Sequence, residues 1–218
     1  MTTARQIKKS LAPLVERHDD LVLKGPWLYL KPVRHLLRAV LIDRTGEAAR
    51  FRPRWAVMSL CVPQRVFPLN WGAMISRPGT NKLWFWDDPS LQADLLAAIE
   101  EQALPRLRML KTLGDFVAFA NDRHRFSLDP FDAFLLPRIV VDVARGDLAA
   151  ARSGCEEVLS GRTMWSMPER TVGELCHLVG KNDRAGMARL LHEWEAYTVD
   201  KLKLRDIWEP TPFPLETG

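Results

Sequence analysis

The sequence predicts an α+β protein: an antiparallel sheet of about four strands flanked by helices, followed by C-terminal helical hairpins. Three observations predict it. Between residues 20 and 65 apolar residues alternate or run in short blocks bounded by turn residues, which is strand patterning. From residue 126 onward apolar residues recur at helical spacing. Two stretches of that second region also match at a shift of 36 residues, around Gly146-Asp147 and Asn182-Asp183.

Taken in order, residues 3–18 form an amphipathic helix. Ile7, Leu11, Leu14 and Val15 make its apolar stripe, and Pro13 is expected to kink or divide it. Strand candidates follow at 21–31, interrupted by Gly25-Pro26, then at 33–42 and at 55–62. The Thr45-Gly46 region supplies turn chemistry between the second and third. Connections this short cannot join parallel strands, so an antiparallel meander is the expected topology. A Pro/Gly/Asn-rich loop (63–81) containing Trp71 leads to a fourth short strand at 82–86. Asp88-Pro89-Ser90 opens a helix carrying Leu91, Leu95, Leu96 and Ile99, which Pro105 is expected to break. Asp87 and Asp88 fit helix capping better than acid–base chemistry. Thr112 with Asp115 three residues on is a capping box for the next helix.

The helical region opens at Asp129-Pro130, turns at Gly146-Asp147, continues over 148–159, restarts at Pro168 and turns again at Asn182-Asp183. The shift of 36 also aligns Ala149 with Ala185 and Glu157 with Glu193, a two-copy helix-turn-helix repeat. Pro210, Pro212 and Pro214 make the tail extended, wrapping the surface. The expected domains are therefore 1–125, an α+β domain with a basic β-meander; 126–205, helical hairpins packed on it; and 206–218, a Pro-rich tail.

Composition narrows the functional classes. With 47% hydrophobic and 27% charged residues, the 218-residue chain has the make-up of a soluble globular protein. No apolar run approaches the ~20 residues of a membrane span, and the N-terminus lacks a signal-peptide core, so a cytoplasmic protein with no membrane partner is expected. Three scattered cysteines, Cys61, Cys155 and Cys176, are expected to be free buried thiols. No CxxC or HxxxH spacing offers a metal site, no GxGxxG or GxxxxGK[ST] loop offers a phosphate cradle, and Ser59-Leu60-Cys61 is no GxSxG elbow. Neither a cofactor nor a metal is expected, and no catalytic residue stands out among the scattered histidines.

Charge carries the functional lead. Residues 20–65 hold nine Lys/Arg against three acids, a net of +6, whereas the whole chain is +4, leaving −2 for the remainder. On strands, Arg52 and Arg54 share a face, as do Arg34 and Arg38, close to Trp27 and Trp55. Trp71, in a loop, is the tryptophan expected to act as a binding anchor; the others are expected mostly in the core. Arginine on a strand also serves simply to keep a sheet soluble and its edges unpaired. The expectation is a non-catalytic module in which Arg34, Arg38, Arg52 and Arg54, with Trp27, Trp55 and Trp71, meet an acidic protein. The same residues could instead grip nucleic acid, phosphates by guanidinium and bases by stacking. A hydrolase without a recognisable motif is the third reading.

The first 120 residues resemble a little-characterised bacterial domain family grouped with immunity proteins. The features are a short helix with Ile7, Leu11, Leu14 and Val15, a basic-aromatic meander over 27–62, and Trp84 leading into a helix. That helix bears the break Ala103-Leu104-Pro105-Arg106-Leu107. The resemblance implies an immunity-like role, binding a toxin and blocking it, and brings no catalytic residues.

Overall fold

A computed structural model describes residues 2–77, 83–122, 134–160 and 169–217. The strand-patterned region folds into one sheet of six strands: β1 (Leu21–Lys24), β2 (Trp27–Leu30), β3 (Leu36–Arg44), β4 (Arg50–Ser59), β5 (Gly72–Met74) and β6 (Trp84–Phe85). The order is β1-β2-β3-β4-β5, with β6 also paired to β4. The α+β class and the antiparallel sheet are as the sequence predicts; the number of strands is higher. Residues 21–31 are a hairpin rather than one strand, with Lys24 paired to Trp27 across a two-residue turn. Gly25 takes φ +60 there while Pro26 fixes its own φ negative, the combination of a type II′ turn.

β5 lies inside the stretch expected to be a loop. It pairs with β4 at Arg54 to Ala56, whereas β6 pairs with β4 at Arg50 and Phe51. Pro53 sits between the two pairings and has no N–H to donate, so β4 takes two short neighbours instead of one long one. Gly72 is required at its position: a Cβ there would stand 2.0 Å from the Trp55 carbonyl oxygen.

The chain divides into two compact units. The first comprises Met1–Val33, Leu37–Met58 and Pro68–Lys111; the second, Arg34–Leu36, Ser59–Phe67 and Thr112–Gly218. In the first unit α1 (Ala4–Arg17) is capped by Thr3 and Gln6 in a capping box, and it runs through Pro13 without dividing. Its buried residues are Ile7, Leu11 and Leu14, three of the four residues of the predicted stripe; Val15 is half-buried. α2 (Leu91–Ala98) passes through a π-helical turn (Ile99–Ala103) into α3 (Leu104–Met109). Pro105 therefore does not end the helix. The wider turn before it, with the Leu104 amide donating to the Ile99 carbonyl, absorbs the missing N–H.

The second unit holds α4 (Leu113–Ala120), whose Thr112–Asp115 capping box forms in both directions. It also holds α5 (Leu135–Arg145), α6 (Leu148–Leu159), α7 (Glu169–Gly180), α8 (Arg184–Lys201) and α9 (Pro214–Thr217). The helix starts expected at Asp129-Pro130 and Pro168, the first residues of the strand expected from Lys82, and the basic cluster around His124 lie outside the described residues. The 36-residue repeat is visible bond by bond. Asp147 N–H donates to Asp142 O and Asp183 N–H to Leu178 O; Gly146 N–H donates to Val143 O and Asn182 N–H to Val179 O. Gly146 and Asn182 both take positive φ, +80 and +54, and each next aspartate caps the following helix, accepting from the Ala150 and Gly186 amides.

One expectation is overturned here. Cys155 on α6 and Cys176 on α7 are joined in a disulfide, with Cα atoms 5.4 Å apart, and only Cys61 is a free, buried thiol. Sequence distance concealed the pair because antiparallel packing of two helices, not spacing along the chain, brings the Cα atoms within bridging range. The tail departs from the expected extended chain: it begins in a turn at 205–207, has no regular structure over 209–213 and ends in one helical turn. Phe213 and Leu215 anchor it in the core of the second unit.

Candidate binding surface

β4 begins Arg-Phe-Arg-Pro-Arg-Trp, and its pleat sorts those residues cleanly. Phe51, Pro53 and Trp55 are buried, Arg52 is exposed, and Arg50 and Arg54 are half-buried. The direction of each side follows from α3. Arg38 on β3 donates to the carbonyls of Leu107 in α3 and of Leu110, its C-cap, and Arg106 on α3 lies over the Trp55 ring, 5.9 Å from its centroid. Arg38 and Trp55 thus face α3 together, and Arg50, Arg52 and Arg54 face the other way.

Strand register completes that other face. Met74 lies opposite Arg54, Phe85 opposite Arg50, and Trp27 and Tyr29 of β2 lie opposite Leu41 and Ala39 of β3, on the side away from Arg38. Arg50 is committed: it pairs with Glu47 at 2.6 Å and stacks 5.0 Å from the Phe85 centroid. Arg52 and Arg54 have no ion pair among the described residues. They leave the strand at positions two apart, about 7 Å. Arg52 is exposed, whereas Arg54 is half-buried and its Nε is buried without a hydrogen-bond partner among the described residues. Met74 beside them is 45% exposed, an apolar contact next to two cations. Trp27 is half-buried and stacks on Tyr29, with centroids 6.0 Å apart and ring planes at 17°.

The remaining sequence-predicted residues lie elsewhere. Arg38 is 8% exposed; besides its α3 bonds it donates to the Pro32 carbonyl at 2.9 Å. Strand 36–42 is apolar on both faces, so an arginine within it has to be buried and satisfied by carbonyls, and that pattern was the signal for its role. Arg34 lies outside β3, in the second unit, and pairs with Glu209 at 3.3 Å, so the expected Arg34/Arg38 pair does not form. Trp55 is 1% and Trp71 6% exposed. Trp71 is not a protruding anchor: its carbonyl accepts from the Val57 amide and extends the β4–β5 ladder inward. Of the seven residues, Trp27, Arg52 and Arg54 share the side of the sheet away from Arg38; that side is open only around Arg52, Arg54 and Met74, since Tyr29, Ala39, Leu41 and Ala56 on it are buried. Arg50, Met74 and Phe85 are the members that the sequence did not disclose, since the register of a three-residue strand leaves no periodic trace.

Several titratable groups elsewhere make structural contacts. In the second unit His35 Nδ1 meets Oε1 of the fully buried Glu195 at 3.0 Å, and its Nε2 lies 3.1 Å from the Pro212 carbonyl. Thr211 Oγ1 lies 3.2 Å from the same nitrogen, so both ring nitrogens are used. The ring also stacks on Phe213, with centroids 4.1 Å apart. Cys61 Sγ contacts Ser59 Oγ at 2.8 Å; burial pushes its pKa up to about 12, which leaves it an inert thiol. In the first unit Arg77 joins Asp88 and Asp94 and holds both carboxyls below their ordinary range through charged hydrogen bonds. Among the described residues no three His, Cys, Asp or Glu side chains converge as a metal site requires, and no helix is long and apolar enough to cross a membrane. No protein-family model, curated protein or solved structure matches the chain.

Proposed function

We propose that this protein is a non-catalytic interaction module that occludes an acidic protein partner through the outer face of β4, in the manner of an immunity protein. The observation that carries the reading is the pair Arg52 and Arg54: two guanidiniums on a rigid strand, without acidic partners among the described residues and flanked by exposed Met74. Every other arginine with a described role serves the fold, including Arg38, Arg77 and Arg108. Two uncommitted charges on a preorganised strand steer encounter, and adjacent apolar contacts supply residence time. A nucleic-acid role fits less well, because stacking needs open aromatic faces. Tyr29 is 5% exposed, Trp55 and Trp71 are interior, half-buried Trp27 stacks on Tyr29, and Arg50 lies over the half-buried Phe85 ring.

The test is affinity capture by the wild type and by an R52E/R54E variant. Loss of an acidic protein from the variant, with the melting temperature unchanged, supports the reading. An acidic partner held equally by both overturns it. Retention of nucleic acid that depends on these arginines and falls steeply with salt transfers the face to the rival reading.

A further inference from the structure

The open face has two parallel rows, and their arrangement specifies the shape of what it binds. One row is basic: Arg52 and Arg54 along β4. The other is apolar: Met74 and Phe85 on the neighbouring strands, opposite Arg54 and Arg50. Adjacent strands lie about 4.8 Å apart, so the rows run side by side. Met74 and Phe85 are as far apart along the strand as Arg54 and Arg50, four residues or about 13 Å.

Resting on the proposed function, we infer that the occupant is an acidic amphipathic helix laid along β4. An extended peptide turns a single row of side chains toward a surface, because alternate residues point away. A helix presents two adjacent rows. Acids four apart on a helix stand about 6 Å from each other, close to the spacing of Arg52 and Arg54. Apolar residues eight apart on the neighbouring row span about 12 Å, which reaches from Met74 to Phe85. Arg50 keeps to the edge of this footprint: Glu47 neutralises it and its guanidinium lies over the half-buried Phe85 ring, so the exposed end of the apolar row is Met74.

The probe is a fluorescein-labelled amphipathic peptide of about 16 residues with two glutamates four apart beside a leucine row. It is titrated into the full chain by anisotropy, with a scrambled peptide of equal composition and a single-stranded oligonucleotide in parallel. The expected result is binding that weakens at least tenfold in R52E/R54E, at least threefold in M74E, and at least tenfold on scrambling. Equal binding of the scrambled peptide overturns the helix inference while leaving a basic docking face in place. Binding that ignores the variants places the contact elsewhere and overturns it. So does failure of the ordered peptide to bind, or tighter binding by the oligonucleotide through the same arginines. Capture of an acidic protein that R52E/R54E abolishes, alongside any of these, shows that only the helix inference has failed.

Discussion

Arg38→Met separates folding from binding, because the structure removes Arg38 from the surface on which a charge count alone would place it. Its guanidinium donates to Pro32 O at 2.9 Å, Leu110 O at 3.2 Å and Leu107 O at 3.4 Å. The last is too long to weigh heavily, which leaves two effective charged hydrogen bonds. At about 1.5–3 kcal/mol each, the loss is about 3–6 kcal/mol, and methionine recovers the packing of the aliphatic stem but leaves the carbonyls unsatisfied. For a chain of this size each kcal/mol moves the thermal midpoint by about 2–4 °C, so Arg38→Met should lower it by at least about 6 °C. The assay is thermal melting by tryptophan fluorescence, with R52M/R54M as the control. Removing those two side chains, Arg52 exposed and Arg54 half-buried, should shift stability by less than about 1 kcal/mol. An Arg38→Met variant that melts within 2 °C of the wild type, or a control that falls as far, refutes the assignment of Arg38 to the fold and Arg52 and Arg54 to the surface.

Three further outcomes follow from the same geometry. Replacing His35 by Ala removes the hydrogen-bond partner of Oε1 on the fully buried Glu195 and should cost about 1–3 kcal/mol in chemical denaturation, with the H35L/E195L double variant recovering part of it; a neutral single variant would contradict the pairing. Reducing the Cys155–Cys176 disulfide, which spans 21 residues, should raise the thiol count of the denatured chain from one to three and destabilise the second unit by about 3 kcal/mol; three thiols before reduction would refute the bridge. Asp88 and Asp94 titrate lower folded than unfolded, so their contribution is full above the ordinary carboxyl value of 3.8 and is lost only as pH falls through the lower, folded range. Arg77→Met should therefore move the acid transition of the first unit to higher pH, and an unmoved transition would deny Arg77 that role.

What the sequence disclosed and what it hid divide along physical lines. Local chemistry was legible: the Thr112–Asp115 capping box, the apolar stripe of α1 and the repeated turns at Gly146 and Asn182 depend on residues within one or two helical turns. The strand alternation placing Arg52 and Arg54 on one face was legible for the same reason. Long-range placement was not. The interior position of Trp71, the pairing of Met74 with Arg54 and the Cys155–Cys176 bridge depend on which segments meet across the fold. Pro105 shows the middle case, where a local breaker was read correctly as a missing N–H but a π-helical turn absorbed it. The double-sided apolar pattern around Arg38 could have signalled its burial, and the pull of a basic run obscured it.

If the outer face of β4 is the working surface, a hydrogen–deuterium exchange footprint should fall on it. With poly-L-glutamate as the acidic probe at low ionic strength, protection should concentrate in 50–58 and 72–74 and should disappear in R52E/R54E. Protection confined to other segments, or an identical footprint on the variant, would contradict it.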